Sequence, residues 1–470
     1  MSSLINTNVS SLIAQNSLLQ NNTNLNTSLE RLSTGLQINS GADNPAGLIA
    51  GLALQQEQTG IQTAINNASL AGNVIGTAEG GLNEVSSLLT QLQGLVGQAA
   101  STGGLSTAEV AANQLQVDSI LSTINRISQS TTFEGRQLLN GNLAYTTSSV
   151  ASAVTNLQIN SALVPDGGKV AVAVQVVSSA KTAVLAYTGG NISGNTVTLQ
   201  VAGNLGSTQL SFASGATVSA IATAINGVKN ATGLSAQTSA GGLRINSTQY
   251  GSAQFASVQV ISGKLKSAFS ANETTGKDAN VTVNGAQAEA TGLNISYRNS
   301  SLDVSFNIAN NYDKPNSSTF YITGGGATFQ LGSQVSENGK ASIGIGSVST
   351  GVLGDSFNGY LSSLGSGGAN DLSSNNLTVA QNVLNSAITQ VSTLRGRLGA
   401  FQTFTIGSTV SSLGVAYENV SSAESAIMDT NFAAETSNLT RDQILSQAAT
   451  TVLSTANSQP QNVLTLLQHV

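Results

Sequence analysis

Near the start of the chain, apolar residues fall at Ile5, Val9 and Leu12, and again at Leu25, Leu29, Leu32 and Leu36. Steps of three and four predict a helix with these residues on one face. Polar Asn16 and Thr23 hold positions that would complete the stripe. A helix reaching Ala42 would be roughly 50 Å long at about 1.5 Å per residue. A second stripe follows Pro45: Ile61, Ile65, Ala68, Gly72, Ile75, Ala78, Leu82, Val85, Leu89, Leu92 and Val96. Its alternating threes and fours are a sustained coiled-coil-like repeat. "STGGLSTAE" then makes a turn and an N-cap, and Val110, Val117, Leu121, Ile124 and Ile127 mark a further helix. The C-terminal fifth mirrors this arrangement. Ala380, Leu384, Ala387, Val391, Leu394, Leu398 and Phe401 form a stripe continuing towards Ile427, and a last helix carries Ile444, Ala448, Val452, Ala456, Val463 and Leu467.

Between roughly 150 and 372 the grammar changes. Runs such as "VAVAVQVV", "TVTLQVAG" and "ANVTVNG" alternate as strands do, between Gly and Asn turns. The chain thus reads as α+β: long terminal helices packed together as a coiled-coil bundle, with a β-rich insertion between them. One stretch interrupts the helical grammar. "LQINSGADNPAGLIA", Leu36–Ala50, places Gly41, Asp43, Asn44 and Pro45 between two helical stripes. Asn44 precedes proline and is steered away from helical geometry. Pro45 suits the first turn of the next helix, where its missing N–H costs nothing.

Composition narrows the function. The 470 residues allow two to four domains. Charged residues are 8%, far below the roughly 25% of ordinary soluble domains. A polar but nearly uncharged surface suits copies that must assemble without repulsion. The net charge of −6 and the lack of a visible basic patch argue against a nucleic-acid partner. There is no cysteine, so no disulfide. No run approaches ~18 consecutive apolar residues, and "MSSLINTNVSS" lacks the regions of a Sec-type signal, so no membrane span is expected and export would need another route. Catalysis is nearly excluded by inventory, since His469 is the single histidine and the acids are scattered. "NYDKPN" reads as a turn. No cofactor or metal is expected.

The longer motifs carry a family resemblance. "LERLSTGLQINSGADNPAGLIA", "GLNEVSSLLTQLQGLVGQAA" and "TTFEGRQLLNG" resemble the amino-terminal signature of bacterial flagellins. "TNFAAETSNLTRDQILSQAATTVLSTANSQPQNVLTLLQ" resembles their carboxy-terminal signature. The likeness covers about 1–145 and 375–467. It implies an inner tube built from 1–44 and 430–470. A helical shell with a small β-hairpin would come from 45–150 and 373–429, and 151–372 would be the exposed, variable region. Gly41–Pro45 would be the joint between tube and shell, marked by a contrast in charge across it. The terminal apolar stripes would be the polymerisation interface. In a packed inner layer an unpaired charge would cost several kcal/mol, whereas Asn, Gln, Ser and Thr share hydrogen bonds. Copying such contacts gives an open, head-to-tail polymer, with the end helices ordering on assembly.

In the middle, "NTVTLQVAG…ATVSAIATAINGVKNATGLSAQTSAGGLRINS" resembles the small module of flagellin and hook proteins named for its Ile-Asn pair, here Ile225-Asn226. Val218, Ile221, Ala222 and Ile225 give its helix an apolar face. A compact β-α-β-β unit is expected near 195–262, with a second strand-rich unit over 278–350.

The resemblance further implies the chain's partners: copies of itself, the filament cap and hook-junction proteins, and an export chaperone on the C-terminal helix around Ile444 to Leu467. Export would be in unfolded form, to the extracellular filament, through the flagellar type III apparatus. Alternatives are a hook–filament junction component, or a filament subunit whose insert is an adhesin. A metalloprotease insert would need H-E-x-x-H, and none exists. The sequence also departs from the pattern. The arginine and glutamate that animal Toll-like receptors detect in some flagellins align with Gln91 and Gln116, while Leu95 keeps its apolar character. The end "LLQHV" replaces the common "LLR".

Overall fold

The computed structural model describes residues 7–101, 106–165, 167–239, 241–299, 301–310, 316–355, 358–374 and 376–468. Among these described residues the α-helices are α1 (Val9–Thr34), α2 (Pro45–Ala99), α3 (Thr107–Ser130), α4 (Val218–Gly227), α5 (Lys229–Thr232), α6 (Leu377–Ala400), α7 (Ser408–Met428) and α8 (Phe432–Gln468). The chain forms two compact units, one of 1–69, 331–335 and 407–470, the other of 70–330 and 336–406. The first unit thus holds the start of α2 and all of α7 as well as α1 and α8.

In the first unit, α1 stops at Thr34, well short of Ala42. Gly35 takes φ +77° and donates its N–H to the Arg31 carbonyl, a left-handed cap that ends the helix. The 26 residues of α1 are thus about 39 Å long. The chain then crosses back on itself. Leu36 bridges Asp429, with Gln37 N–H donating to Met428 O at 2.7 Å and Thr430 N–H to Gly35 O at 2.9 Å. Helices α1 and α8 lie antiparallel, tied by Asn8 Nδ2 to Ala456 O (2.7 Å), Ser11 Oγ to Asn457 Oδ1 (2.7 Å) and Ser446 Oγ to Asn22 Oδ1 (2.8 Å). Gly51 on α2 sits where a Cβ would be 2.4 Å from Met428 Sδ, so α2 and α7 approach closely there.

In the second unit the buried row of α2 runs Ala71, Ile75, Ala78, Leu82, Val85, Leu89, Leu92, Val96 and Ala99, a 3–4 alternation that Ile61, Ala64 and Ala68 begin in the first unit. Expected Ile65 and Gly72 are half-buried instead. Each lies one position after an alanine that better fits the 3.5-residue repeat. Ser106 caps α3 with a reciprocal Glu109 bond. The buried row of α3 ends at Ser128 rather than Ile127. Ala380, Leu384, Ala387, Val391, Leu394 and Leu398 are buried on α6 as expected. The continuation to Ile427 fails, because a π-helical segment, Phe401–Gly407, resets the register and α7 buries no residue fully. Arg395 Nε meets Glu79 Oε1 at 2.8 Å, joining α6 to α2. The hairpin β1 (Thr132–Phe133) and β2 (Arg136–Gln137) turns through Glu134 and Gly135, both at positive φ, as a two-residue turn requires.

The strand region is nested. First come β3 (Tyr145–Ser148), β4 (Val154–Ala162) and β5 (Val170–Ser178). A module follows: β6 (Val184–Tyr187), β7 (Val197–Gly203), β8 (Gly206–Phe212), α4, α5, β9 (Leu234–Ser239), β10 (Gly242–Ser247), β11 (Phe255–Ser262) and β12 (Glu273–Thr275). The chain then returns as β13 (Asn280–Val283), β14 (Ala286–Gln287), β15 (Glu289–Thr291), β16 (Asn294–Arg298), β17 (Leu302–Ile308) and β18 (Asn316–Gly325). Sheets β14-β13-β5-β18-β3 and β15-β16-β17-β4 share one core, including Val172, Val174, Val176, Val281, Val304, Phe306 and Phe320. The second strand-rich unit is therefore not 278–350 alone; half of its pairing comes from 145–178. Two short pairs close the region: β19 (Ala327–Gln330) with β20 (Lys340–Ile343), and β21 (Gly354–Asp355) with β22 (Gly359–Tyr360), while the module makes its own sheets.

The module is larger than 195–262, since β6 and β12 join its sheets β6-β10-β9 and β12-β11-β7-β8. Val218, Ile221, Ala222 and Ile225 are buried, as their spacing predicts. Asn226 Nδ2 donates to Ala236 O and its Oδ1 accepts from Ala236 N–H, both at 2.8 Å. One side chain thereby fixes α4 to β9, which gives the Ile-Asn pair its physical reason: one residue fills the core and the next locks the strand.

Candidate assembly surface

The contact between α1 and α8 is made of small and polar groups. Ser11, Ala14 and Ser28 are buried on α1, and Glu435, Asp442, Ala449 and Ala456 on α8, the latter at seven-residue steps. Arg31 Nη1 stands 4.0 Å from Glu435 Oε2 across the pair, while Arg441 Nε lies 3.7 Å from Asp442 Oδ1 within α8 itself. Four of the large apolar side chains point elsewhere. Val9 is 53% exposed, Leu12 56%, Ile444 63% and Val452 57%. Leu29 and Ala448 are exposed too, whereas Leu25, Leu32 and Leu36 are half-buried and Ala456 lies in the seam.

The single stripe expected along α1 is thus two. The 13 residues from Leu12 to Leu25 turn a continuous helix about 140° away from register at 3.6 residues per turn. Val9 and Leu12 therefore face solvent while Leu25 and Leu32 face α8. Ile13, Leu19 and Leu445 are exposed as well, though the stripes omit them; Ile13 and Leu445 adjoin Leu12 and Ile444, and Leu19 lies seven residues, about two turns, beyond Leu12. Ile5 lies outside the described residues, as do His469 and the side chains of Val463 and Leu467.

The joint is a built turn. Asp43 Oδ2 accepts from Asn39 N–H (3.1 Å), Ser40 N–H (2.8 Å) and Ser40 Oγ (3.0 Å). The Ser40 amide, then its hydroxyl, hold the Asp43 carboxyl below its ordinary range. Asn44 caps α2: its Oδ1 accepts from Gly47 N–H at 2.9 Å, and its carbonyl from Leu48 N–H at 2.9 Å. Pro45 is the first helical residue. Gly41 is exposed and a Cβ there would come no nearer than 3.8 Å to Leu48. Charge does not change across the joint: Glu30, Arg31 and Asp43 precede Pro45, and Glu57, Glu79 and Glu84 follow within α2. The change is in side-chain packing instead, from a seam of Ser and Ala to one rich in Leu and Ile. Gln91 and Gln116 are exposed, while Leu95 is buried.

Comparison with known proteins bears on this surface. Residues 5–144 match the bacterial flagellin N-terminal helical region, 381–467 the bacterial flagellin C-terminal helical region, and 188–249 the flagellin hook IN motif. Polar flagellin F of Vibrio parahaemolyticus is 27% identical over 480 residues, spanning 99% of this chain and 100% of the relative. The B-type flagellin of Pseudomonas aeruginosa is 29% identical over 520 residues and the flagellin of Salmonella choleraesuis 29% over 526, each spanning 100% of both chains.

The chain belongs to the flagellin family.

A flagellin is a structural protein of the bacterial flagellum. The two helical matches coincide with α1–α3 and with α6–α8, and the matched hook motif with the body of the β6–β12 module. No helix among the described residues of this flagellin is long and apolar enough to cross a membrane.

Proposed function

We propose that this flagellin is a structural subunit that polymerises into the flagellar filament through the outward apolar rows of α1 and α8. The observation that carries the reading is the inverted packing of that pair. Ser, Ala and the single Arg31–Glu435 pair hold α1 to α8, while Val9, Leu12, Leu29, Ile444 and Val452 stand in solvent. Burying each such side chain against a neighbouring copy contributes about 1.5–3 kcal/mol. The isolated pair gains none of that, so α1 and α8 are stable only in the polymer.

The test is seeded assembly followed by electron microscopy. Wild-type chain should extend into smooth tubes of uniform width. Leu12→Ser with Ile444→Ser should leave the β-rich region folded and slow or abolish growth. Long fibres from a chain lacking both 1–34 and 432–470 would overturn the reading.

The same rows suggest how the subunit travels: exported unfolded through the flagellar secretion route, with a chaperone shielding Ile444 to Leu467 beforehand, then received by cap and hook-junction proteins. The joint of Gly41, Asp43, Asn44 and Pro45 would hold the angle between the end helix and α2. Glutamine at 91 and 116 removes two charges that receptor recognition would use, each charge-assisted bond contributing about 1.5–3 kcal/mol. Weak activation of Toll-like-receptor reporter cells is expected, and Gln91→Arg with Gln116→Glu should raise it.

A further inference from the structure

The β6–β12 module, held between Lys181 and Lys277, differs in charge from everything around it. It carries Lys181, Lys229, Arg244, Lys264, Lys266 and Lys277 against Glu273 alone, a net charge of +5. The whole chain carries −6, which leaves −11 for the rest. All six cations are exposed. None of them forms an ion pair among the described residues.

Their settings hold the charges outward and unneutralised. Lys181 and Lys277 are bridge partners, each donating its N–H to the other's carbonyl at 2.8 and 2.9 Å. Like charges at facing positions weaken a ladder, so stability does not account for this pair. Lys264 and Lys266 flank Leu265, which packs on the module's core together with Phe269 and turns the ammonium groups to solvent. Arg244 lies between buried Leu243 and Ile245 on the central strand β10, and its cross-strand partners are Ala186 and Gln237, not acids. The nearby Asp278 is occupied by the amides of Ser252 (3.0 Å) and Gly292 (2.7 Å).

We infer that this module binds a polyanionic polysaccharide. Cations spread over separate strands and loops suit a flexible chain of repeated carboxylates or sulfates. Single-stranded nucleic acid would use exposed aromatic rings for base stacking, and Tyr187, Phe212, Tyr250, Phe255 and Phe269 are all buried or half-buried. The inference rests on the filament reading, because assembly repeats the module along the polymer and multiplies contacts that are weak singly.

The experiment co-sediments assembled filaments with labelled alginate, with heparin, and with neutral dextran. Both polyanions should be retained at ~50 mM salt and released by ~500 mM, since phosphate-like counterion release governs such binding, while dextran stays in the supernatant. Lys264→Gln with Lys266→Gln, and separately Lys181→Gln with Lys277→Gln, should each lower retention about fivefold or more, as loss of two screened contacts implies. Retention no greater than that of dextran, retention unchanged in the combined four-residue variant, or tighter binding of duplex DNA than of heparin would each overturn the inference. If no filaments grow, that failure belongs to the filament reading. Heparin titrated against the soluble full-length chain, wild type against the four-residue variant, then decides the module's role by the same criterion.

Discussion

Asn226 shows how much one side chain can fix. Its amide satisfies both backbone groups of Ala236, so Asn226→Ala leaves a donor and an acceptor to find other partners at the α4–β9 contact. A loss of about 1–3 kcal/mol in module stability is expected, read by denaturant unfolding and by faster amide exchange at Ala236. Asp43 gives a pH dependence of known sign. Its folded pKa is lowered by the Ser40 and Asn39 donors, so its contribution is complete above the ordinary carboxylate range of roughly 3.9. That contribution disappears as pH falls through the lower folded value. Amide protection at Asn39 and Ser40, corrected for intrinsic exchange, should fall on acidification, and Asp43→Asn should abolish that pH step. The joint residues were legible because caps and turns are local chemistry. The hydrogen-bond partners of Asp43 lie within four residues of it in the chain.

At the scale of elements, α2 separates two kinds of glycine. A Cβ on Gly76 meets nothing within 4 Å, whereas one on Gly51 meets Met428 Sδ at 2.4 Å and Cγ at 2.7 Å. Gly76→Ala should therefore stabilise the free chain by about 0.5–1 kcal/mol, and Gly51→Val should destabilise it by about 1–3 kcal/mol through overpacking. Thermal unfolding of the two variants should move in opposite directions. The helices themselves were readable from periodicity, but their seams were readable only in part. Ala64 and Ala71 take core positions that Ile65 and Gly72 were expected to fill, because a long helical repeat is set by the register of its neighbours and not by the largest local side chain. The π-helical Phe401–Gly407 left no mark in the pattern: a register reset looks, residue by residue, like continued helix. Strand pairing was hardest. Val174 faces Val283 and Ser318, partners more than a hundred residues away, and alternation says which face a residue takes but not which strand it meets.

At the scale of the whole molecule, the terminal pair keeps small and polar groups in its seam and leaves apolar side chains such as Val9, Leu12, Ile444 and Val452 exposed. The β-rich region is the reverse: its two cores, one around Leu185, Leu199 and Ile245 and one around Val174, Val304 and Phe306, are closed within the single chain. The clasp at Lys181 and Lys277 brings the module's entrance and exit side by side, immediately beyond the Ser178–Asn280 pair of β5 and β13. Replacing 182–276 with a short turn should leave a soluble chain that keeps the strand signature of the remaining sandwich by circular dichroism and still elongates seeded filaments. The position is then a natural cassette: any foreign fold whose ends sit about 5 Å apart, the spacing of neighbouring strands, can be grafted there and displayed at one copy per subunit along the whole fibre.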